Sequence, residues 1–244
     1  MKREDLEEAL HAGIRNSIEL AFEFSNDLDD QTFPEYLKTV KVAEALRRIV
    51  PKHSRIKLEA PTHEVLARHL LFSGASDWPS WVSREGRIDI CLELYDPAVP
   101  SPIVVIENKR ILRRASDVND DLRRCAEFLR SAGPSGAGSI AVTGVTYLLK
   151  MTGRHGVTAE EHRLNARPML QAIQASAEAL TVGSPLNHKQ LCWPIHLRVY
   201  LDEDDAFASP TGEAPDSHNY PPLTIVGACE VFWRDDREHW LARL

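Results

Sequence analysis

Three charged side chains stand in the most strand-like part of the sequence. Asp89 lies within an alternating stretch at residues 86–94, Glu107 directly follows a hydrophobic run at residues 103–106, and Lys109 comes two positions later. An unpaired charge is costly to bury, so its presence in such a strand calls for a partner or a role. Side chains two positions apart on a strand point to the same side. If the two strands are neighbours, we expect the three side chains to meet at one point.

Two carboxylates and an ammonium at one point suit the metal-assisted hydrolysis of a phosphodiester. Carboxylate oxygens bind Mg²⁺, which keeps several waters and takes a phosphate oxygen as a further ligand. A bound ion acidifies a water and offsets developing negative charge, and a lysine can orient that water or stabilise the charge on phosphorus. The residues therefore predict an Mg²⁺ (or Mn²⁺) site with Asp89, Glu107 and Lys109 as catalytic residues.

The elements that must position these residues are predicted from hydrophobic periodicity. Thr62 is the expected N-cap of one helix, and Ser116 is the expected cap of another. Around the candidate residues we expect helices at 62–72 and 116–131, strands at 86–94, 103–109 and 139–149, and loops at 74–79 and 133–138. Further out we expect helices at 4–25, 34–49 and 158–181, strands at 55–59, 195–201 and 223–233, and an acidic loop at 202–222. The pattern mixes α and β within one domain of residues 1–244.

Asp89 followed by Glu107-Asn108-Lys109 at the end of a hydrophobic strand resembles the PD-(D/E)XK nuclease superfamily. Ile88 stands where the family has its name-giving proline. The resemblance implies an α/β fold with a mixed sheet and a restriction-endonuclease-like core of helix, three strands, helix and strand. It places that core at about residues 62–149, with an N-terminal helical addition at 1–60 and a C-terminal α/β addition at 150–244.

The resemblance also implies roles for individual residues. Asp89 and Glu107 would be metal ligands, with Glu64 as a third ligand from the preceding core helix, and Lys109 would orient the attacking water. The alternative for Glu64 is a solvated ion pair with Arg68 at i,i+4. Basic residues after the site are candidates for DNA phosphates: Arg110, Arg113, Arg114, Arg123 and Arg124.

Bulk properties restrict the function classes. The formal net charge of -7 argues against a protein that coats nucleic acid by charge alone. The four cysteines are far apart and form no zinc-ligand spacing, which favours free thiols. No apolar run reaches the length that spans a bilayer. The charged residues 1–5 lack the apolar stretch of a signal peptide, so the expected location is the cytoplasm.

Three functional hypotheses follow from the sequence. The first is an Mg²⁺-dependent endonuclease that acts on DNA, for which family habit suggests defence against foreign DNA. The second is a non-catalytic subunit that keeps the nuclease fold and binds nucleic acid. The third, compatible with the first, is an effector whose additions sense an activating ligand or partner, or build a homo-oligomer.

Overall fold

The computed structural model describes residues 1–25, 34–73, 86–95, 101–131, 139–149, 159–196 and 223–234. In these ranges five α-helices pack on one six-stranded mixed sheet, which confirms the expected α/β class. The helices are α1 (Arg3–Ser25), α2 (Glu35–Ile49), α3 (Thr62–Ser73), α4 (Asn119–Arg130) and α5 (Ala159–Thr181). The strands are β1 (Ser54–Pro61), β2 (Arg87–Leu94), β3 (Ser101–Leu112), β4 (Val142–Leu149), β5 (Leu186–His196) and β6 (Leu223–Trp233). None of these helices is long and apolar enough to cross a membrane.

The sheet has the strand order β1-β2-β3-β4-β6-β5. Neighbouring strands are antiparallel except for β3 and β4, which run parallel and are connected through α4. A parallel pair needs a crossover of this kind. β4 is buried along its whole length, and β3 is buried except at Lys109 and Arg110. The continuous hydrophobic run at residues 103–106 is typical of a strand covered on both faces.

Helices cover both faces of the sheet. Buried side chains of α1 and α2 form one apolar cluster with one face of the sheet, whereas α3, α4 and α5 form a second cluster with the other face. The strands thus lie between two helical layers, a common α/β arrangement. The C-terminal part of β3 therefore has α2 on one side and α4 on the other.

Helices α1 and α2 approach each other unusually closely at Gly13. A Cβ atom on Gly13 would lie 2.4 Å from the Cα of Val42, a distance that real side chains do not tolerate. Glycine in the middle of a helix costs about 1 kcal/mol relative to alanine. The close crossing requires this residue despite that cost.

The predicted helix at 116–131 is wrong at its start. Residues Ala115–Val118 form a 3₁₀ turn, and α4 begins only at Asn119, so Ser116 is not its cap. The Asp117 carboxylate accepts hydrogen bonds from the backbone N–H groups of Arg113 (3.1 Å) and Arg114 (2.9 Å). This local pairing winds the chain into a tight turn ahead of the helix.

The order of the described elements differs from the one expected from residue 62. Among the described residues, the strands between α3 and α4 are β2 and β3, and the third strand of this part of the sheet, β1, precedes α3. The order helix, three strands, helix, strand is instead obtained from α2, β1, β2, β3, α4 and β4, with α3 inserted between β1 and β2. The sequence alone does not show that α2, and not α3, is the first helix of this order.

The strand expected at 195–201 begins earlier, since β5 covers Leu186–His196. β5 lies at the edge of the sheet beside β6 alone. An edge strand tolerates Pro194 and the polar residues at 187–190, which hide the usual hydrophobic signal. The remaining part of the expected strand at 197–201, and the loops expected at 74–79, 133–138 and 202–222, lie outside the described residues.

Candidate active site

Asp89 and Glu107 lie on the adjacent strands β2 and β3, and each carboxylate is held by the other residue's strand. The Asp89 Oδ2 atom accepts a hydrogen bond from the backbone N–H of Asn108 at 2.5 Å. The Glu107 carboxylate in turn accepts one from the backbone N–H of Asp89. The two acids are therefore fixed side by side just beyond the last paired residues of the two strands, Ile90 and Ile106.

Glu107 and Lys109 face α4, where two residues connect them in a chain of ion pairs. Arg124 Nη2 lies 2.7 Å from Glu107 Oε1 and 2.8 Å from Asp121 Oδ1. The other oxygen of Asp121, Oδ2, lies 2.8 Å from the Lys109 amine. Asp121 and Arg124 sit three positions apart on α4, so one helical turn supplies both partners. The structure thus brings the three predicted residues together and adds Asp121.

Burial disfavours the ionised forms of both acids in the site. Burial raises the pKa of Glu107 to about 8, with further increases from Asp89 and Asp121, although Arg124 opposes the shift. Burial likewise raises the pKa of Asp89 to about 6, and the carboxylates of Glu35 and Glu59 add to the effect. Carboxylates whose ionised forms are disfavoured in this way would gain from a nearby cation.

Lys109 keeps its positive charge in this setting. Burial alone would lower its pKa, but the hydrogen bond and the charge of Asp121, together with Glu35, outweigh that effect and raise it. The amine is half-buried. The Lys109 ammonium is therefore held by Asp121, and because the side chain is partly exposed it can also donate a hydrogen bond to a further group.

A second network of hydrogen bonds, from α2 and β4, supports β3 on the side opposite α4. Lys38 on α2 is fully buried and donates hydrogen bonds to the backbone carbonyl oxygens of Lys109 and, at 3.4 Å, of Thr146. Asn108 donates through Nδ2 to Thr39 Oγ1 (3.0 Å) and accepts through Oδ1 from Thr146 Oγ1 (2.5 Å). Burial lowers the pKa of Lys38 to about 7. Polar groups of α2 and β4 therefore hold the segment that carries the candidate residues.

Glu64 lies in a different group of charges from the one predicted. Its Oε2 atom is 3.2 Å from Arg68 and 4.0 Å from Lys57. The same two basic residues contact the buried Glu93, at 2.5 Å and 3.5 Å. The i,i+4 ion pair with Arg68 is thus the arrangement in the structure. The helix carboxylate whose charge acts on Asp89 is Glu35, at the start of α2.

The five arginines predicted to contact DNA fall into two groups. The Arg124 side chain forms ion pairs with Glu107 and Asp121, so it is part of the site and is not an exposed contact for DNA. The other four, Arg110, Arg113, Arg114 and Arg123, are exposed. Three of them have acidic neighbours: Arg110 lies 3.6 Å from Glu35, Arg114 3.6 Å from Asp117, and Arg123 2.8 Å from Asp120.

The donor atoms fit a hard divalent cation. Within the described ranges no group of three or more histidine, cysteine, aspartate or glutamate side chains is arranged to hold a metal ion. Mg²⁺ does not need such a cage, because it is commonly bound by one or two carboxylates together with waters and substrate phosphates. Asp89 and Glu107 supply two carboxylates with compatible chemistry, whose ionised forms a bound cation would favour.

A cavity of about 540 Å³ lies elsewhere, between α5 and the strands β5 and β6. Its lining includes Arg167, Gln171, Gln190 and Cys192. None of the lining residues belongs to the cluster of Asp89, Glu107 and Lys109. The cavity is therefore not part of the candidate active site.

Sequence reasoning missed Lys38, Asp121 and Glu35. Lys38 did carry a signal, since it stands four positions before the buried Val42 on the covered face of α2. Asp121 similarly lies on the buried face of the strongly amphipathic α4. A charged residue on an otherwise apolar helix face is the sequence signal that could have identified Lys38 and Asp121.

Comparisons with known proteins do not extend this picture. No family model matches the chain, and no curated protein or solved structure matches it either. The functional interpretation therefore depends on the geometry and chemistry of the site itself.

Proposed function

We propose that this chain is a metal-dependent endonuclease that hydrolyses phosphodiester bonds in DNA. The observation that carries the proposal is the reciprocal fixing of Asp89 and Glu107, each by a backbone N–H of the other strand, with the Lys109 ammonium two residues further on. Residues with only a structural role in a strand do not need two adjacent carboxylates, one buried and one partly buried, because such a pair repels itself.

The order of elements supports membership of the PD-(D/E)XK superfamily. The order that the family resemblance implies is matched by α2, β1, β2, β3, α4 and β4, once α3 is counted as an insertion. Two of the catalytic candidates lie on the third of these strands and one on the second. The first core helix is then α2, so the carboxylate proposed to assist Asp89 and Glu107 is Glu35 instead of Glu64.

Each residue has a distinct task in the proposed reaction. Asp89 and Glu107 would hold Mg²⁺ (or Mn²⁺), which would supply an acidified water and offset charge on the phosphate. Lys109 orients the water through its open side and stabilises negative charge near phosphorus. Asp121 keeps Lys109 protonated and aimed, while Arg124 balances part of the charge of Glu107.

The exposed arginines are the proposed contacts to the DNA backbone. Arg110 directly follows Lys109, and Arg113 and Arg114 precede the turn into α4. Arg123 lies on α4 beside Arg124. Phosphate contacts of this kind fix the register of DNA without reading its sequence. They supply local positive charge in a chain whose net charge is negative.

The test is cleavage of supercoiled plasmid by the purified protein with Mg²⁺ or Mn²⁺, with EDTA as a control. We expect nicking that is lost in Lys109→Ala and Asp89→Asn. Lys41→Ala is the matched control, because Lys41 lies on α2 and pairs with Glu44 at the surface. Nicking that persists in Lys109→Ala would refute the assignment of the site.

One observation favours the non-catalytic alternative. Lys109 and Glu107 are both engaged in ion pairs, with Asp121 and Arg124 respectively, so their charges are partly satisfied without metal or substrate. A subunit that only binds nucleic acid would retain affinity for DNA in a gel-shift assay in EDTA. It would show no cleavage in Mg²⁺ or Mn²⁺, and Lys109→Ala would leave the affinity unchanged.

A further inference from the structure

The strand that carries Lys109 contains a bulge at that residue. Asn108 is paired with Thr146, and the next registered pair is Ile111 with Leu148. β3 therefore advances by three residues where β4 advances by two, which leaves one extra residue at the Lys109–Arg110 segment. A bulge interrupts the hydrogen-bond ladder and redirects a side chain, and bulges are frequent beside active sites.

The backbone carbonyl of Lys109, at this bulge, is bound by a side chain. Lys38 reaches it from α2, and the same amine donates to the carbonyl of Thr146 on β4. The Lys38 amino group therefore bridges the two parallel strands where their own ladder is interrupted. Lys38 is fully buried in this position.

A second pair of contacts, one from the same helix and one from β4, fixes the residue before the bulge. The Thr39 hydroxyl accepts a hydrogen bond from Asn108 Nδ2, and the Thr146 hydroxyl donates to Asn108 Oδ1. The backbone N–H of Asn108 is the group that holds Asp89. The back of β3 is thus tied to α2 at two consecutive residues, one of which supports a catalytic carboxylate and the other of which is Lys109.

We propose that Lys38 is a positioning residue, which acts through the backbone of Lys109 to aim the Lys109 amine at the reacting phosphate. This inference rests on the proposed nuclease function. A buried amino group is costly, and an apolar residue at this position of α2 would pack against the sheet at lower cost. The arrangement that uses the amino group is the bridge across the bulge. Lys38 touches neither DNA nor metal in this proposal.

The test is Lys38→Met, which keeps a long side chain and removes the donor. Lys41→Met is the matched control, because the partly exposed Lys41 lies on the same helix and pairs with Glu44. We expect kcat for plasmid nicking to fall on the order of 10²-fold with KM within about twofold, because small misplacements of a catalytic group have effects of that size. The control should match the wild type in both constants.

A second readout does not depend on cleavage. Labelling with ¹³C′-lysine and ¹⁵N-arginine gives a signal for each Lys-Arg pair, and the sequence contains two, at residues 2–3 and 109–110. The second signal is identified by its loss in Lys109→Ala. Lys38→Met should move the 109–110 signal and leave the 2–3 signal in place, whereas Lys41→Met should move neither.

Several outcomes separate the inference from its alternatives. A folded Lys38→Met protein with unchanged kcat and an unmoved 109–110 signal would overturn it, as would a loss of thermal stability alone. If Lys38→Met does not fold, Thr39→Val removes the milder contact to Asn108 and should lower kcat about tenfold, whereas an unchanged kcat in that variant would overturn the inference. If the wild-type protein does not cleave DNA, the proposed function has failed, and the 109–110 signal alone decides whether Lys38 holds the carbonyl.

Discussion

Glu107→Gln should stabilise the metal-free protein at neutral and basic pH while it abolishes cleavage. Burial raises the pKa of Glu107 from 4.5 to about 8. Below the lower value, the group is protonated in both the folded and the unfolded chain. Between the two values, the unfolded chain has lost the proton and the folded chain keeps it, so the free energy of unfolding falls as pH rises. Glutamine has nearly the same shape and does not titrate.

The magnitude follows from the proton balance. One proton of difference between the two states changes the free energy of unfolding by about 1.4 kcal/mol per pH unit. The advantage of Glu107→Gln over the wild type should therefore grow by roughly 1 kcal/mol per pH unit between about pH 5 and about pH 8. The gain is below the full value because Asp89, whose pKa is also raised, shares in the titration. Arg124 still has Asp121 as a partner in the variant.

The assay is urea denaturation in EDTA at a series of pH values, repeated with Mn²⁺. Glu64→Gln is the matched control for the substitution itself, since Glu64 is a half-exposed carboxylate outside the site. Mn²⁺ should raise the stability of the wild type and leave Glu107→Gln unchanged. A difference between wild type and Glu107→Gln that is the same at every pH would refute the argument from burial. Equal stabilisation of both proteins by Mn²⁺ would refute the role of Glu107 as a ligand.

Three further predictions concern other parts of the structure. Asp121→Asn removes the carboxylate that raises the pKa of Lys109, so the basic limb of the pH–rate profile for plasmid nicking should move to lower pH, and an unmoved limb would separate the two residues functionally. Glu230 is fully buried, neither of its carboxylate oxygens is hydrogen-bonded within the described ranges, and burial raises its pKa to about 8. Glu230→Gln should therefore become progressively more stable than the wild type as pH rises from about 5 to about 8 in urea denaturation, and a constant difference would contradict this. Gly227→Ala should destabilise the protein by about 1–3 kcal/mol, because a Cβ there would lie 2.6 Å from the Tyr147 ring, and an unchanged melting temperature would mean that the ring can move aside.

The sequence predicted the strands of the site well because their signals are local. A continuous hydrophobic run and an alternating stretch identified β3 and β2, and a charge inside each strand identified Asp89 and Glu107. Period-two geometry then placed Lys109 on the same side as Glu107. Each of these inferences uses residues within a few positions of one another.

The parts that the sequence did not predict depend on contacts between distant segments. Glu35 and Glu64 both stand in the first turn of a helix that packs against β3, and only the tertiary structure shows that the charge of Glu35 acts on Asp89 whereas Glu64 pairs with Arg68. The pairing of Lys109 with Asp121 requires the crossover through α4, and the role of Lys38 requires the bulge in β3. Strand register and helix placement are tertiary properties, which periodicity along one segment does not encode.

The close crossing of α1 and α2 at Gly13 has a consequence for how the protein opens. Backbone contact at this distance leaves no room for α1 to slide or tilt while α2 stays in place. α2 in turn carries Lys38 and Thr39, which hold the back of the site. We therefore expect the amides of α1, α2 and the end of β3 to exchange with solvent hydrogen as a single cooperative unit. α1 therefore supports the site through α2, and we expect unfolding of α1 to loosen the strand that carries Glu107 and Lys109.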